Sequence, residues 1–139
     1  MANNKLLTAE EILQMSDDDY MDERQLAFFS NLLVQMEKEL RQNADQTTVN
    51  LRETTVAPDP TDRATIEEEH ALELRTRDRE RKLLKKVEAA IRRIDEGEYG
   101  YCEETGDPIG VARLMARPTA TLSLEAQQRR ELKQKMYGD

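Results

Sequence analysis

Apolar residues fall at Leu26, Phe29, Leu33, Met36 and Leu40, in alternating steps of three and four. That spacing is the seam of a coiled coil. Continued in the same register, it meets Asn43, Thr47 and Asn50 and turns polar. A second seam, read backwards from Ile94 through Ile91, Val87 and Leu84, goes on to Glu80, Arg77, Glu73 and His70. Both seams are apolar far from Pro58 and Pro60 and polar close to them. A chain that folds back at those prolines sets apolar on apolar and polar on polar. The pattern therefore predicts an antiparallel helical hairpin, with Leu26 facing Ile91, Leu33 facing Leu84 and Thr47 facing His70. Its helices cover about 22–52 and about 64–96. Roughly 30 residues at about 1.5 Å each make an arm of about 45 Å. The arm ends in a weakly packed tip, RETTVAPDPTDRAT.

The rest of the chain is punctuated differently. Glycines at 97, 100, 106 and 110 and prolines at 108 and 118 predict a small, loop-rich head over 97–121. Thr8 before AEEILQM has the look of an N-cap, with two glutamates in the first helical turn, so a short helix is expected at about 8–17. A last helix should start between Leu122 and Glu125 and run through QQRRELKQKM. The expected fold class is mainly all-α: a long antiparallel coiled-coil hairpin with a small head and a C-terminal helix. Residues 1–21 should pack on the head, 22–96 should form the arm with its tip at about 53–64, 97–121 the head, and 122–139 the final helix. Tyr99, Tyr101, Ile109, Val111, Leu114, Leu122 and Leu124 are the candidate head core, joined by Ile12 and Leu13.

Composition agrees with a thin, solvent-bathed molecule. Only 37% of the 139 residues are hydrophobic and 36% are charged, with a mean hydropathy of -0.84; compact globules run at about 45–50% apolar. The net charge of -8 disfavours direct duplex binding, which needs Lys and Arg to neutralise phosphates. No run of about 18 apolar residues exists, so no membrane span is expected. The N-terminus lacks the pattern of a signal peptide. A single cysteine rules out an internal disulfide and suits a reducing cytoplasm.

Candidate chemistry is sparse. Cys102 and Thr105 stand three apart, as do Ser123 and Ala126, with seventeen residues between the pairs. A zinc ribbon puts cysteine at all four such places. Here one thiol occupies a frame for four, and tetrahedral zinc lacks its ligands. Cys102 read as a redox sensor needs a lowered pKa, which Glu103 and Glu104 should oppose; a half-buried structural residue is the simpler reading. No nucleophile–base pair or phosphate loop is present, so an enzyme is not expected. Asp59 and Asp62 flank a turn-forming Pro-Thr, yet they crown a long arm, a place suited to delivering charge. Arg79, Leu83 and Lys86 share one helical face in the basic run RTRDRERKLLKK. That face is either simply solvated or suited to a phosphorylated ligand or an acidic surface.

The stretches PDPTDRATIEEEHALELRTRDRERKLLKKVEAAI, EYGYC and GDPIGVARLMARPTA closely resemble the DksA family of bacterial transcription factors, over roughly residues 8–136. The resemblance implies an arm that enters the secondary channel of RNA polymerase and carries Asp59, Asp62 and Ala64 toward the catalytic centre. It implies an action with guanosine tetraphosphate (ppGpp) that shortens open-complex lifetimes, represses ribosomal RNA promoters and assists some biosynthetic promoters. The factor's side of the ppGpp site would comprise Arg79, Leu83, Lys86 and Arg117. The family's basic residue after the fourth zinc ligand is replaced by Gln127. The four zinc positions fall on Cys102, Thr105, Ser123 and Ala126, which implies a zinc-independent member with no metal cofactor. The expected protein is a cytoplasmic monomer that binds polymerase and ppGpp and reads no DNA sequence itself. A transcript-cleavage factor is one competing reading, set apart by the tip, since DPTDRAT matches the DksA motif and cleavage factors use a different acidic loop. A plain coiled-coil adaptor is another, and it would not require DPTDRAT, EYGYC and RPTA together.

Overall fold

The computed structural model describes residues 6–53 and 59–138, with the backbone alone over 47–53. Five α-helices are found there: α1 (Ala9–Leu13), α2 (Glu23–Glu53), α3 (Pro60–Glu96), α4 (Val111–Ala116) and α5 (Leu124–Tyr137). A 3-10 turn at Asp17–Asp19 separates α1 from α2. The fold is the expected all-α hairpin with a head. Among the described residues the only strand-like feature is one antiparallel bridge between Tyr101 and Pro108.

The ends of α1 and α3 have local causes. Thr8 caps α1 and forms a capping box, accepting from Glu11 N–H at 3.2 Å while its own N–H donates to Glu11 Oε1 at 2.9 Å. α1 stops at Leu13, earlier than predicted, because Ser16 starts a new cap over the three aspartates. At the outer end, Asp59 caps α3 and Pro60 supplies the pre-set φ of its first turn. That brings the start of α3 forward from 64 to 60. Gly97, at φ 77°, closes it in the left-handed conformation that glycine adopts without strain.

The arm's inner half is packed as its seam requires. Phe29, Leu33, Leu40, Val87 and Ala90 are buried, and Leu26, Met36, Leu84, Ile91 and Ile94 pack partly buried against them. The register is shifted from the predicted one. Leu40 and Ala44 of α2 line one groove with Arg77, Glu80 and Leu84 of α3. Arg41 also reaches Glu88 at 2.7 Å. A seam that repeats every seven residues matches apolar to apolar equally well after a slip of seven, so periodicity alone does not choose. The predicted partner of His70, Thr47, lies where no side chain is described.

The head core contains Tyr99, Cys102, Ile109, Leu114, Leu122 and Ala126, with Ile12 and Met21 from the N-terminal segment also buried. Tyr101 and Val111 are half-buried. Two expected core residues face solvent: Leu13 is 50% exposed and Leu124 54%. Leu124 is the first residue of α5 and points away from the buried Ala126 face; Leu13 ends α1, whose inward residue is Ile12.

Candidate functional site

The acids of the tip are not equivalent. Asp59 Oδ1 accepts the Thr61 N–H at 2.9 Å, so this carboxylate is spent on capping α3. Asp62, one turn further in, is exposed and has no bonded partner among the described residues. Ala64 is exposed beside it. A free carboxylate at the end of a 37-residue helix is thus Asp62 alone. The predicted tip segment 54–58 lies outside the described residues.

At the foot of the arm the basic residues divide. Lys86, Arg113, Arg117 and Gln127 line one cleft of about 190 Å3, floored by Ala120 and Leu122. None of its three cations forms an ion pair with a described residue. Arg113 Nε is buried and without a hydrogen-bond partner. Unneutralised cations around a buried free donor, in a chain of net charge -8, form a cleft suited to an anion. Gln127 contributes no charge, and its amide donates to Glu131 at 3.0 Å. Arg79 and Leu83 do not line this cleft. They lie along α3 toward the tip, Arg79 about two turns away. Arg113 lies in the stretch GDPIGVARLMARPTA, but a lone arginine in VARLMA shares no helical face with the basic run of α3, so the sequence does not single it out.

Hydrogen bonds link the four positions of the frame to one another. Cys102 is 3% exposed, deeper than expected, and Ala126 is fully buried. Burial pushes the Cys102 thiol up, but hydrogen bonds from the Thr105 hydroxyl and from the backbone of Ser123, Thr105 and Glu104 outweigh it and bring it down to about 6. The expectation that Glu103 and Glu104 would raise it is corrected. Both side chains are exposed and turned to Arg93 and Arg130, at 2.9 and 2.7 Å, while backbone donors surround the sulfur. Ser123 Oγ in turn accepts the Ala126 N–H at 3.2 Å as the cap of α5. One thiol, two hydroxyls already bonded and an alanine do not make a zinc site, and no group of three or more His, Cys, Asp or Glu able to hold a metal occurs among the described residues.

Other contacts hold the head. Tyr20 hydroxyl donates to Gly100 O at 2.6 Å and accepts from Gly110 N–H at 2.9 Å, tying the N-terminal segment to both glycine turns. Burial pushes its pKa up. Gly100 is required there: its φ is +91°, and a Cβ would come within 2.8 Å of the Met21 side chain. Tyr99 hydroxyl donates to Pro118 O at 2.7 Å. Arg93, from the last turns of α3, donates to the carbonyls of Glu98 and Tyr101 at 3.1 and 3.0 Å and to Glu103 at 2.9 Å.

A helical hairpin with the free Asp62 in the first turn of α3, and a cation-lined cleft beside a four-position ribbon frame at its foot, defines an arm-and-head protein. Residues 25–94 match the N-terminal domain of DksA, described as DnaK suppressor protein, and residues 97–132 match the prokaryotic dksA/traR C4-type zinc finger. The chain is 49% identical over 124 residues to the RNA polymerase-binding transcription factor DksA of Caulobacter vibrioides, covering 88% of this chain and 87% of that one. It is 44% identical over 122 residues to the protein of the same name from Escherichia coli K12, covering 87% and 81%. The solved structure of transcription factor DksA2 from Pseudomonas aeruginosa superimposes with a TM-score of 0.82 at 41% identity, covering 92% of this chain and 99% of that one. The chain belongs to the DksA family, whose members are transcription regulators and not enzymes.

Proposed function

We propose that this chain is a transcription regulator that binds RNA polymerase, inserting the arm of residues 22–96 through the secondary channel while the head of 97–121, with 1–21 and 122–139 around it, stays at the mouth. The observation that carries this reading is the pairing of a free Asp62 near the far end of the arm with a cation cleft at its foot. The tip of about 53–64, through Asp62 with Asp59 and Ala64 setting its geometry, acts near the catalytic centre and destabilises open promoter complexes. The regulator represses ribosomal RNA promoters and assists some biosynthetic promoters in the stringent response. Its effector is ppGpp, held jointly with polymerase. Lys86 and Arg117 receive phosphate in the cleft, with Arg113 as a third donor, while Arg79 and Leu83 extend the same face of α3 outward. Charge-assisted bonds from Arg and Lys to phosphate are about twice as strong as neutral ones. The chain acts in the cytoplasm as a monomer, reads no DNA sequence directly, and needs no zinc, because the frame at Cys102, Thr105, Ser123 and Ala126 is closed by hydrogen bonds. No helix among the described residues is long and apolar enough to cross a membrane.

The test is competition for polymerase by the wild-type chain and by Asp62→Asn. Retained binding with loss of regulation is expected, since the head and arm shaft form the docking surface. A mutant that no longer competes makes the tip a docking element and contradicts the assignment. Metal analysis should find far less than one zinc per chain, and stoichiometric zinc would overturn the metal-free head.

A further inference from the structure

The two halves of the arm are built from different materials. Toward the head, the seam of α3 holds Val87 and Ala90, both buried. From Pro60 to Lys86 no residue of α3 is buried, although the helix continues unbroken. The half-buried positions there include His70 and Glu73, while the leucines beside them point outward: Leu72 is 56% exposed and Leu74 51%. His70 Nε2 and Glu73 Oε2 are buried atoms with no hydrogen-bond partner. A buried polar atom left unpaired costs what it lost on leaving water, roughly a fivefold to hundredfold penalty in an opening equilibrium. Local opening concentrates where apolar contacts are few and polar groups are unsatisfied.

We propose that the arm is two units rather than one, and that the outer unit, centred on His70 and Glu73, opens from the closed hairpin while the inner unit stays shut. The boundary falls near Leu40 and Leu84, which line one groove between α2 and α3. Opening separates the outer helices without unfolding the head, because Phe29, Leu33, Val87 and Ala90 remain packed below the boundary. Its consequence is that Asp62 sits on a segment whose position an enclosing surface sets, and not on a rigid rod.

Hydrogen exchange of the full chain, followed by mass spectrometry, tests this without any partner. Amides of 66–80 should exchange roughly thirtyfold or more faster than those of 84–94, since two unpaired groups act together. Fraying from the end of α3 would also speed the outer amides, so a second variant separates the causes. His70→Phe with Glu73→Met replaces both unpaired groups by apolar ones of similar shape, a change that stabilises when no partner existed. It should slow exchange over 66–80 about tenfold or more and leave 84–94 unchanged. Equal exchange along the whole arm in the wild type would overturn the two-unit arm. So would a double variant whose outer amides exchange as fast as before.

Discussion

Replacing Arg93 by methionine removes the guanidinium that fastens the arm to the head and keeps an unbranched stem in its place. The side chain is 15% exposed and spans three acceptors: the carbonyls of Glu98 and Tyr101 and the Glu103 carboxylate. The losses differ in size. Tyr101 O is partly buried, so its bond from a charged donor is worth about 1.5–3 kcal/mol. The Glu98 carbonyl lies at the surface and recovers a water, so it adds little. Glu103 is half-exposed, and such an ion pair contributes about 0.2–1 kcal/mol after screening. The sum is about 3 kcal/mol. For a chain of this size it should lower the melting temperature by about 10 °C. The assay is near-ultraviolet circular dichroism of the head tyrosines, which reports the head and not the long helices. Arg93→Lys should lose most of the same stability, because a point-charge ammonium does not fork to three acceptors. A fall of less than about 2 °C in both variants would show that the arm–head junction rests on apolar packing alone.

Three further outcomes follow from the site. The Cys102 thiol titrates at about 6 in the folded head, whereas an unfolded thiol titrates near about 8.5. Because the folded pKa is the lower one, its contribution to stability is full above about pH 8.5 and is lost as pH falls through 6. Urea midpoints should therefore rise between pH 6 and 8.5 in the wild type, with that rise absent from Cys102→Ser; parallel profiles would contradict the thiolate. Asp59→Ala should cost about 1 kcal/mol of helix stability by removing the cap of α3, while Asp62→Asn should leave the melting curve within about 0.5 kcal/mol. Lys86→Ala and Arg113→Ala should each weaken the ppGpp response of the polymerase complex about tenfold or more. Gln127→Lys should strengthen it, and unchanged titrations in all three would leave the cleft without its anion.

The arm was legible because its seam repeats with a helical period over two long uninterrupted stretches, a signal that survives any local ambiguity. Its register was not legible, since Leu26, Leu33 and Leu40 stand seven apart and so do Leu84 and Ile91. The head was legible in part. Tyr99, Ile109 and Leu122 could be picked as core by being apolar among glycines, but the same rule also took Leu13 and Leu124, which face water. What fastens the head, Tyr20 to Gly100 and Gly110, joins residues 80 and 90 positions apart, and no local pattern carries such a contact. The tip motif singled out Asp59 and Asp62 together; only hydrogen bonding separates the capping acid from the free one. The environment of Cys102 was misjudged for a related reason. Charge counts along the sequence see Glu103 and Glu104, but backbone N–H groups brought in by the turn and by Ser123 decide the thiol's state.

The lifetime of open complexes on a ribosomal RNA promoter, measured with purified polymerase, bears most directly on the proposed role. The wild-type chain should shorten that lifetime, and ppGpp should shorten it further. Asp62→Asn should bind polymerase and leave the lifetime at its value without the chain. A wild-type chain that binds polymerase without changing the lifetime, or an Asp62→Asn variant as active as the wild type, would contradict the account of an arm that works through the free carboxylate near its tip.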